Sequence, residues 1–516
     1  MELRRQARYY RRMHGKAVER EQRLKRKLQA LRAKVKELRQ RLRERWARRR
    51  GSEKRTRTAG ATEAAVAAPA RRRGQQRGAA GHGRRGHAHL PVRVEAHEVD
   101  PEQRRCPACG AEYHAHGSED SEQLEIEVRA YRRVIKRRRY RRSCQCATTP
   151  ALRTATAPAR LIPKGILGIS IWVTVLIDKY LLYRPTYRLL ADLRAHGLDL
   201  AQGTVTDGLR RLAPLFAPLR EALIARSRTE QHWHADETSW QVFEASSEDA
   251  CCRWCLWVFW SAEVVVFTLD PTRSARVPKQ HFATVTGGVV SVDRFSSYKR
   301  LAKDTELELS FCWVHVRRDF ITVANERDDQ QEWAEQWLEE IATLYHLNDE
   351  RLEVRGEAAQ YAAADAALRA GVGAMQERWE RELAQQSKLP AACAKVLKSL
   401  RNHWQGLTRF VEDPDLPMDN NQAERALRGP VVGRKNYYGS GARWSGELCA
   451  TLFSLFHTLE RWQINPRTWL TEYLSACADA GGQVPEDYQR FLPWNRREER
   501  LLPRGSPAQV VADRAA

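Results

Sequence analysis

Taken alone, the sequence of 516 residues predicts a multidomain α/β protein. Strand-like runs are concentrated between residues 232 and 293, helical segments flank them on both sides, and the first third is strongly basic. A chain of this length exceeds the size that one hydrophobic core usually reaches. We therefore expect several domains, of which one contains a mixed sheet.

The positive charge lies at the N-terminal end. The formal net charge is +24; residues 1–50 carry 21 Lys/Arg against 5 Asp/Glu, and residues 51–150 carry 21 against 12. The rest of the chain is nearly neutral. This distribution is typical of a nucleic-acid-binding arm attached to a neutral body. A solvated helix face is the alternative interpretation for residues 1–50.

Within residues 1–50, apolar side chains recur with heptad spacing, which predicts a basic, leucine-zipper-like coiled coil. A parallel homodimer is the simplest assembly, and a single basic helix ordered only on DNA is the alternative. Residues 51–90 have too little apolar surface for a core and are predicted to be a flexible basic linker. The heptad positions are Leu24, Leu28, Leu31, Val35, Leu38 and Leu42.

Two close pairs of cysteines occur in residues 91–150, Cys106 with Cys109 and Cys144 with Cys146. Four thiolates in two pairs suit tetrahedral Zn²⁺, so we expect a small domain with a structural zinc ion. A redox function is less favoured because no βαβ pattern surrounds these cysteines.

Residues 151–228 are predicted to be helical and to include a helix-turn-helix. One helix covers residues 185–196, Gly197 suits the left-handed bend, and the second helix covers residues 200–212. The second helix would then turn four polar side chains towards a DNA groove, Gln202, Thr204, Thr206 and Arg210.

Residues 229–320 contain three strand-like runs that predict an antiparallel meander, followed by a helix-compatible stretch and a fourth strand. This order resembles a ribonuclease-H-like core. Asp236 lies on the first strand and Asp293 ends the fourth, which is expected to lie beside the first. Both carboxylates would then meet at one end of the sheet. Glu237 and Asp270 are competing acids, but Glu237 should point to the opposite face of its strand.

A third acid, Glu424, follows a long segment with helical periodicity. We expect residues 321–416 to be an all-helical insertion, residues 417–480 to complete the core, and residues 481–516 to be a C-terminal tail. Glu424 is predicted on a short helix that Asp419 or Asn420 caps and that ends at Gly429-Pro430. Four basic residues near it are candidate phosphate contacts, Arg425, Arg428, Arg434 and Lys435.

Several motifs together resemble the insertion-sequence-sixty-six family (TnpC-type) of bacterial DDE transposases. They are GSEK (51–54), HLPVRVE (89–95), CPACG (106–110), CQC (144–146), LYR (182–184), DET (236–238), VDRFSSY (292–298), CWVHVRR (312–318), DNNQAERALR (419–428) and GRKNYYGS (433–440). The resemblance implies that Asp236, Asp293 and Glu424 bind two Mg²⁺ or Mn²⁺ ions. Cys312 and His315 match an auxiliary CxxH element.

Two such ions about 3.5–4 Å apart can hold the attacking and leaving oxygens of a displacement at a phosphate. The resemblance thus implies 3′-end cleavage of the element followed by strand transfer. The partners would be double-stranded DNA of the terminal repeats and of the target, contacted also by Arg318. Accessory proteins encoded by the element are further candidate partners. A DNA-binding regulator and a structure-specific nuclease on the same fold are the alternatives.

The sequence shows no apolar secretory signal, and its longest uncharged apolar stretch, residues 165–177, is shorter than the roughly 20 residues that a membrane span needs. The 11 cysteines do not form a disulfide framework. We therefore expect a bacterial cytoplasmic, nucleoid-associated protein without a membrane partner.

Overall fold

The computed structural model describes residues 90–94, 97–114, 121, 123–124, 128–141, 143, 150–244, 253–385 and 389–496. The chain divides into two compact units, Met1–Leu124 and Glu125–Ala516. The predicted coiled coil, nearly all of the predicted linker, and the cysteines Cys144 and Cys146 lie outside the described residues. Those predictions therefore stay predictions.

The described part of the first unit is a short 3₁₀ helix, Pro101–Arg104, followed by a tight loop. Within the loop, the Cys106 N–H donates to the Ala111 carbonyl at 2.8 Å, and the Gly110 N–H donates to the Cys106 carbonyl at 2.8 Å. Gly110 has a φ of +74°, a left-handed conformation that glycine adopts without steric cost. The loop thereby brings Cys106 and Cys109 to one side of a sharp turn.

The second unit begins with an exposed antiparallel ribbon and a set of helices. The ribbon consists of β1 (Arg139–Arg141) and β2 (Leu152–Thr154). The helices are α1 (Ile169–Leu176), which continues as a π-helical turn (Ile177–Leu181), α2 (Thr186–Ala195), α3 (Gln202–Leu212), a 3₁₀ turn (Ala213–Phe216) and α4 (Ala217–Ser227). Gly197, between α2 and α3, has a φ of +81°, as the bend of a helix-turn-helix requires.

A mixed five-stranded sheet forms the centre of this unit, with the order β5-β4-β3-β6-β7. β3, β4 and β5 are antiparallel neighbours, whereas β6 is parallel to β3 and β7 is parallel to β6. The predicted meander, and the predicted place of the fourth strand beside the first, are both confirmed. The strands are β3 (His232–Gln241), β4 (Arg253–Ser261), β5 (Val265–Asp270), β6 (Val289–Val292) and β7 (Glu308–Phe311).

Short helices connect the later strands, α5 (Arg276–His281) before β6 and α6 (Ser296–Asp304) before β7. A helical region with its own hydrophobic cluster then follows. It contains α7 (Trp313–Glu326), a 3₁₀ turn (Asp328–Gln330), α8 (Gln331–Glu353), α9 (Ala358–Ala384), α10 (Ala391–Leu407) and α11 (Arg409–Glu412).

The chain then returns to the sheet and packs helices against it. These are α12 (Asn421–Tyr437), α13 (Arg443–Arg461) and α14 (Pro466–Asp479), followed by 3₁₀ turns at Tyr488–Phe491 and Pro493–Asn495. None of the helices in the described ranges combines the length and the hydropathy of a membrane-spanning segment.

Helix α13 covers the open edge of β5. The hydroxyl of Ser454 accepts from the Phe267 N–H at 2.7 Å, and the hydroxyl of Thr458 accepts from the Val265 N–H at 3.1 Å. Both hydroxyl residues have no exposed surface. The edge strand thus has its outward N–H groups satisfied by side chains, which removes a site for unwanted strand pairing.

The predicted end of the Glu424 helix at Gly429-Pro430 is wrong. α12 continues through Pro430 to Tyr437, and Tyr438 follows it in the left-handed conformation. Proline usually ends a helix because it lacks an N–H group and its ring crowds the preceding turn. Here Gly429 and Gly433 pack directly against the Tyr183 ring, with no room for a Cβ at Gly429. We attribute the continuation of the helix beyond Pro430 to this packing.

The packing of α3 on α1 generates a stability prediction. A Cβ at Gly208 would overlap the indole of Trp172, which is only 2% exposed, whereas a Cβ at Gly203 on the same helix meets open space. We expect Gly208→Ala to lower the free energy of unfolding by about 1–3 kcal/mol through overpacking. Gly203→Ala should leave it unchanged or raise it by up to about 1 kcal/mol. Urea unfolding of both variants checks this, and equal stability of the two would contradict the described packing.

Candidate active site

Asp236 and Asp293 lie on neighbouring parallel strands. The register pairs His234 of β3 with Ser291 of β6, and its continuation brings Asp236 level with Asp293, just after β6 ends. Asp236 accepts the Glu237 N–H at 2.8 Å, and Asp293 accepts the Phe295 N–H at 2.9 Å. Each carboxylate is thereby oriented by its own backbone, and both remain half-buried.

Glu424 comes to the same place from the first turn of α12. Its Oε1 lies 4.0 Å from Nε2 of His315, which belongs to the first turn of α7. The backbone N–H of Cys312 donates to the Val292 carbonyl at 3.1 Å, so the start of α7 is fixed to the residue that precedes Asp293. The three predicted acids and the CxxH element therefore lie in one region.

Asn420 connects these segments. Its Nδ2 donates to the Ala235 carbonyl at 2.8 Å, and its Oδ1 lies 3.0 Å from Nδ1 of His234. Its backbone N–H donates to Sγ of Cys312 at 3.2 Å. Burial lowers the pKa of His234 to about 4, so the ring is neutral and donates through Nδ1. These bonds fix the start of the Glu424 helix beside the strand that carries Asp236.

Asn420 is the N-cap residue of α12, one of the two positions that the sequence predicts. Its side chain makes no cap hydrogen bond; Oδ1 of Asp419 instead accepts the Asn421 N–H at 2.9 Å. The run of three polar residues, Asp419 to Asn421, was the available signal. This run indicates where the helix starts, but it does not indicate that the side chain of Asn420 contacts β3.

The carboxylates influence one another electrostatically. Burial raises the pKa of Asp236 to about 7, and the charges of Glu237, Asp293 and Glu424 contribute to the increase. Burial is the larger cause and the neighbouring carboxylates add to it, so the ionised form of Asp236 is disfavoured in the protein alone. A bound cation would favour the ionised form.

Two competing acids are already used by the fold. The Glu237 carboxylate accepts hydrogen bonds from Nε of Arg273 at 2.8 Å and from the Tyr298 hydroxyl at 2.5 Å, and its side chain is only 2% exposed. The Asp270 carboxylate accepts hydrogen bonds from the Thr272 hydroxyl at 2.7 Å and from the Arg276 guanidinium at 2.6 Å. Because hydrogen-bond donors already occupy the oxygens of both carboxylates, neither is open to a metal ion.

Arg294, which the sequence analysis did not select, fixes the segment after Asp293. Its guanidinium donates to Ser399 of α10 at 2.8 Å and to the His315 carbonyl at 3.2 Å, and it pairs with Asp319 at 2.6 Å. The helical region thus contacts the site directly. A single arginine after an aspartate is too common a pattern to predict this role.

The predicted DNA contacts are mostly exposed. Arg434 is the exception, because its guanidinium bonds to the Thr238 hydroxyl at 3.0 Å and to the Ser239 hydroxyl at 2.8 Å, which joins α12 to the end of β3. The other eight have exposed side chains, Gln202, Thr204, Thr206, Arg210, Arg318, Arg425, Arg428 and Lys435.

The predicted zinc site is represented by Cys106 and Cys109 alone among the described residues. Backbone N–H groups of Ala108 and Cys109, together with the Cys109 thiol, hold the pKa of Cys106 below its ordinary value. N–H groups directed at sulfur favour the thiolate, which is the form that binds zinc. The donor set of this loop fits one half of a four-thiolate site.

Together, the mixed sheet and its acidic cluster define an α/β protein with a candidate metal site. A family model described as "Transposase IS66 family" matches residues 164–448, which is more than half of the 516-residue chain. The chain therefore belongs to the IS66 family of transposases. Membership indicates an enzyme that acts on DNA and uses divalent metal, and it confirms the resemblance inferred from the motifs.

Similar proteins occur in Sinorhizobium fredii (strain NBRC 101917 / NGR234). The uncharacterized protein y4jD is 27% identical over 429 residues, which cover 80% of this chain and 82% of the relative. The uncharacterized proteins y4qI and y4hP are 26% and 25% identical, with 75% of this chain covered and 72% and 73% of the relatives. No solved structure matches the chain significantly.

The raised pKa of Asp236, about 7, generates a pH prediction. An unfolded aspartate titrates near pH 3.9. The folded protein therefore holds this proton more tightly than the unfolded chain, and without metal it loses stability as the pH rises from about 4 through 7. We expect Asp236→Asn to abolish this loss and to unfold with a higher free energy than wild type at pH 8, by up to a few kcal/mol.

Urea unfolding at pH 5 and pH 8 in the presence of a chelator measures this difference. The matched control is Asp199→Asn, which removes an exposed carboxylate that pairs with Arg194 and should keep the wild-type pH dependence. Identical pH dependence of wild type and Asp236→Asn would contradict the described electrostatics.

Proposed function

We propose that this chain is a DDE transposase of a bacterial insertion sequence. It binds the ends of the element, cleaves the DNA to leave 3′-hydroxyl ends and joins these ends to target DNA. The observation that carries the proposal is the convergence of Asp236, Asp293 and Glu424 from β3, the end of β6 and α12, near enough for the other two to raise the pKa of Asp236.

The sheet supports a ribonuclease-H-like core. A central strand with an antiparallel meander on one side and two parallel strands on the other is the arrangement that this fold needs. It places the carboxyl end of β6 beside the middle of β3, where two of the acids stand. The helical region between β7 and α12 is the proposed insertion.

The carboxylates fit hard divalent cations. Carboxylate oxygens are the ligands that Mg²⁺ and Mn²⁺ prefer, and three carboxylates from separate segments can be shared between two ions about 3.5–4 Å apart. Bound Mg²⁺ or Mn²⁺ would supply Lewis-acid stabilisation of the attacking and leaving oxygens at the scissile phosphate.

The other residues of the site position the acids and the DNA. Asn420 holds the Glu424 helix against β3, and Arg294 holds the segment after Asp293. His315, adjacent to Glu424, is a proposed auxiliary group. Burial and the nearby Arg318 lower its pKa, so its ring is mainly neutral at pH 7. The exposed Arg425 and Arg428 would contact phosphates through charge-assisted hydrogen bonds.

We further propose that α3 enters the major groove of the element ends. The four predicted contact residues on it have exposed side chains, whereas Val205 and Leu209 are buried in the core. The structural zinc ion, dimerisation through residues 1–50 and a need for accessory proteins complete the proposal. These three parts of the proposal rest on the sequence alone.

Cleavage and strand transfer on the element's own terminal DNA test the catalytic proposal. In the presence of Mg²⁺, wild type should give 3′-hydroxyl ends and joined product. Asp293→Asn should bind the DNA and lower both rates by at least about a hundredfold, because loss of one carboxylate disrupts the metal site. Asp487→Asn, which removes an exposed carboxylate paired with Arg490, should retain activity.

The alternatives give different products. Cleavage without joining would favour a structure-specific nuclease. Binding without either reaction, even with the element's other gene products added, would favour a DNA-binding regulator and would overturn the catalytic proposal.

Arg210 provides a separate test of DNA binding, because its side chain is exposed on α3. Arg210→Ala should weaken binding to terminal DNA by roughly 1–3 kcal/mol if the guanidinium contacts a base, with relaxed specificity at one position. A phosphate contact would instead lower the slope of binding against salt by about one. Fluorescence anisotropy at several salt concentrations distinguishes the two cases, and unchanged binding would contradict the proposed orientation of α3.

A further inference from the structure

Cys312, His315 and Glu424 bring one sulfur, one nitrogen and one carboxylate oxygen together beside the acidic cluster. Their ligand atoms all lie within 4.8 Å of one another, with Nε2 of His315 at 4.0 Å from Oε1 of Glu424. Within the described ranges, these three side chains form a group whose ligand atoms are near enough to hold one metal ion. Asp236 and Asp293 do not belong to it.

The chemistry of the three ligands differs from that of the acids. A thiolate, an imidazole and a carboxylate are all common ligands of Zn²⁺, which takes three protein groups and leaves a fourth position open at reactive sites. Mg²⁺ prefers oxygen ligands alone. Zinc bonds of about 2.0–2.3 Å place tetrahedral ligands about 3.3–3.8 Å apart. Small rotations of the His315 and Glu424 side chains would close the remaining gap.

The Cys312 sulfur is buried, which raises the pKa of its thiol to about 11, so the thiol keeps its proton until a metal binds. The Asn420 N–H donates to its Sγ at 3.2 Å. Cys312 is 2% exposed and precedes α7 directly, so the sulfur has a fixed position. Binding of zinc would release the thiol proton to solvent, as it does at other thiolate sites.

The imidazole of His315 is free to take a ligand. Its Nδ1 is buried and has no hydrogen-bond partner in the part of the chain that the structure describes. Metal-binding histidines use either ring nitrogen, and the tautomer is set by what the other nitrogen contacts. No described protein group therefore commits this ring to one tautomer.

We propose that Cys312, His315 and Glu424 form a zinc-binding site, and that zinc held there inhibits the enzyme by withdrawing Glu424 from the carboxylate set. The inhibitory part rests on the proposed function, since it requires Glu424 to serve the hard cations. The zinc-binding part does not depend on it.

Zinc content of the full-length protein tests the site itself. After equilibration with excess Zn²⁺ and passage over a weak chelator, wild type should retain one equivalent more than Cys312→Ser or Glu424→Gln. Serine keeps a hydrogen-bond acceptor for the Asn420 N–H, so the fold should persist. The matched control is Cys393→Ser, which alters another buried cysteine, bonded to Gln330, and should retain the wild-type zinc content. Zinc held by other cysteines contributes equally to all four proteins.

Cobalt substitution gives a second measurement that does not depend on stability. The difference spectrum of Co²⁺-loaded wild type minus Cys312→Ser should show a thiolate-to-cobalt charge-transfer band. Equal zinc content in wild type and Cys312→Ser, together with a flat difference spectrum, would overturn the site.

Inhibition is measured as the ratio of Mg²⁺-dependent cleavage with and without added zinc, for each protein separately. The zinc concentration for half inhibition should be at least about tenfold higher for Cys312→Ser than for wild type or Cys393→Ser. Equal inhibition of wild type and Cys312→Ser would overturn the inhibitory part. If wild type cleaves no DNA even with the element's other gene products added, the proposed function fails, while the zinc content still decides the site.

Discussion

The buried side chain of Asn420 holds the candidate site together. It is 1% exposed, and its hydrogen bond to Ala235 spans 185 residues of chain. Removal of a buried amide that serves both a carbonyl and an imidazole leaves those groups unsatisfied, at about 1–3 kcal/mol each. Because its backbone N–H also reaches Cys312, one residue fixes β3, the start of α7 and the start of α12 relative to one another.

The acidic cluster, when ionised and without a cation, lowers the free energy of unfolding of the protein. Three carboxylates are held close together and partly out of water, and the pKa of Asp236 rises to about 7 as a result. Glu237, whose charge adds to this effect, is itself bound by Arg273 and Tyr298. Glu237 is therefore committed to the fold, whereas the other carboxylates remain available to a cation.

Polar contacts at two points hold the helical region and the chain that leads from it to the site. Arg351, with no exposed surface, donates to the carbonyl groups of Phe410 and Val411 at 2.7 and 3.0 Å and pairs with Asp365 at 3.0 Å. These contacts fix the end of the region, from which the chain leads to Asn420. Arg294 provides a second connection, from the residue after Asp293 to α10.

Much of the architecture follows from local patterns. The three alternating runs predicted the meander, Gly197 predicted the bend between α2 and α3, and the strand order brought Asp236 and Asp293 side by side as expected. The end of α12 could not be predicted, because local rules end a helix near a proline, whereas α12 continues through Pro430 with Gly429 and Gly433 packed against Tyr183.

Apart from β7, which the sequence did not predict, the sequence by itself determined the strands of the sheet, the choice of candidate acids and the family of the chain. These depend on side-chain period, on turn-forming residues and on short motifs, all of which are local. The tertiary structure alone decided that the side chain of Asn420 bonds to β3 and not to the first turn of its own helix, that Arg434 bonds to β3, and that Glu424 adjoins Cys312 and His315. A hydrogen bond needs a partner within about 3 Å, and for these residues the partner is set by packing between distant segments.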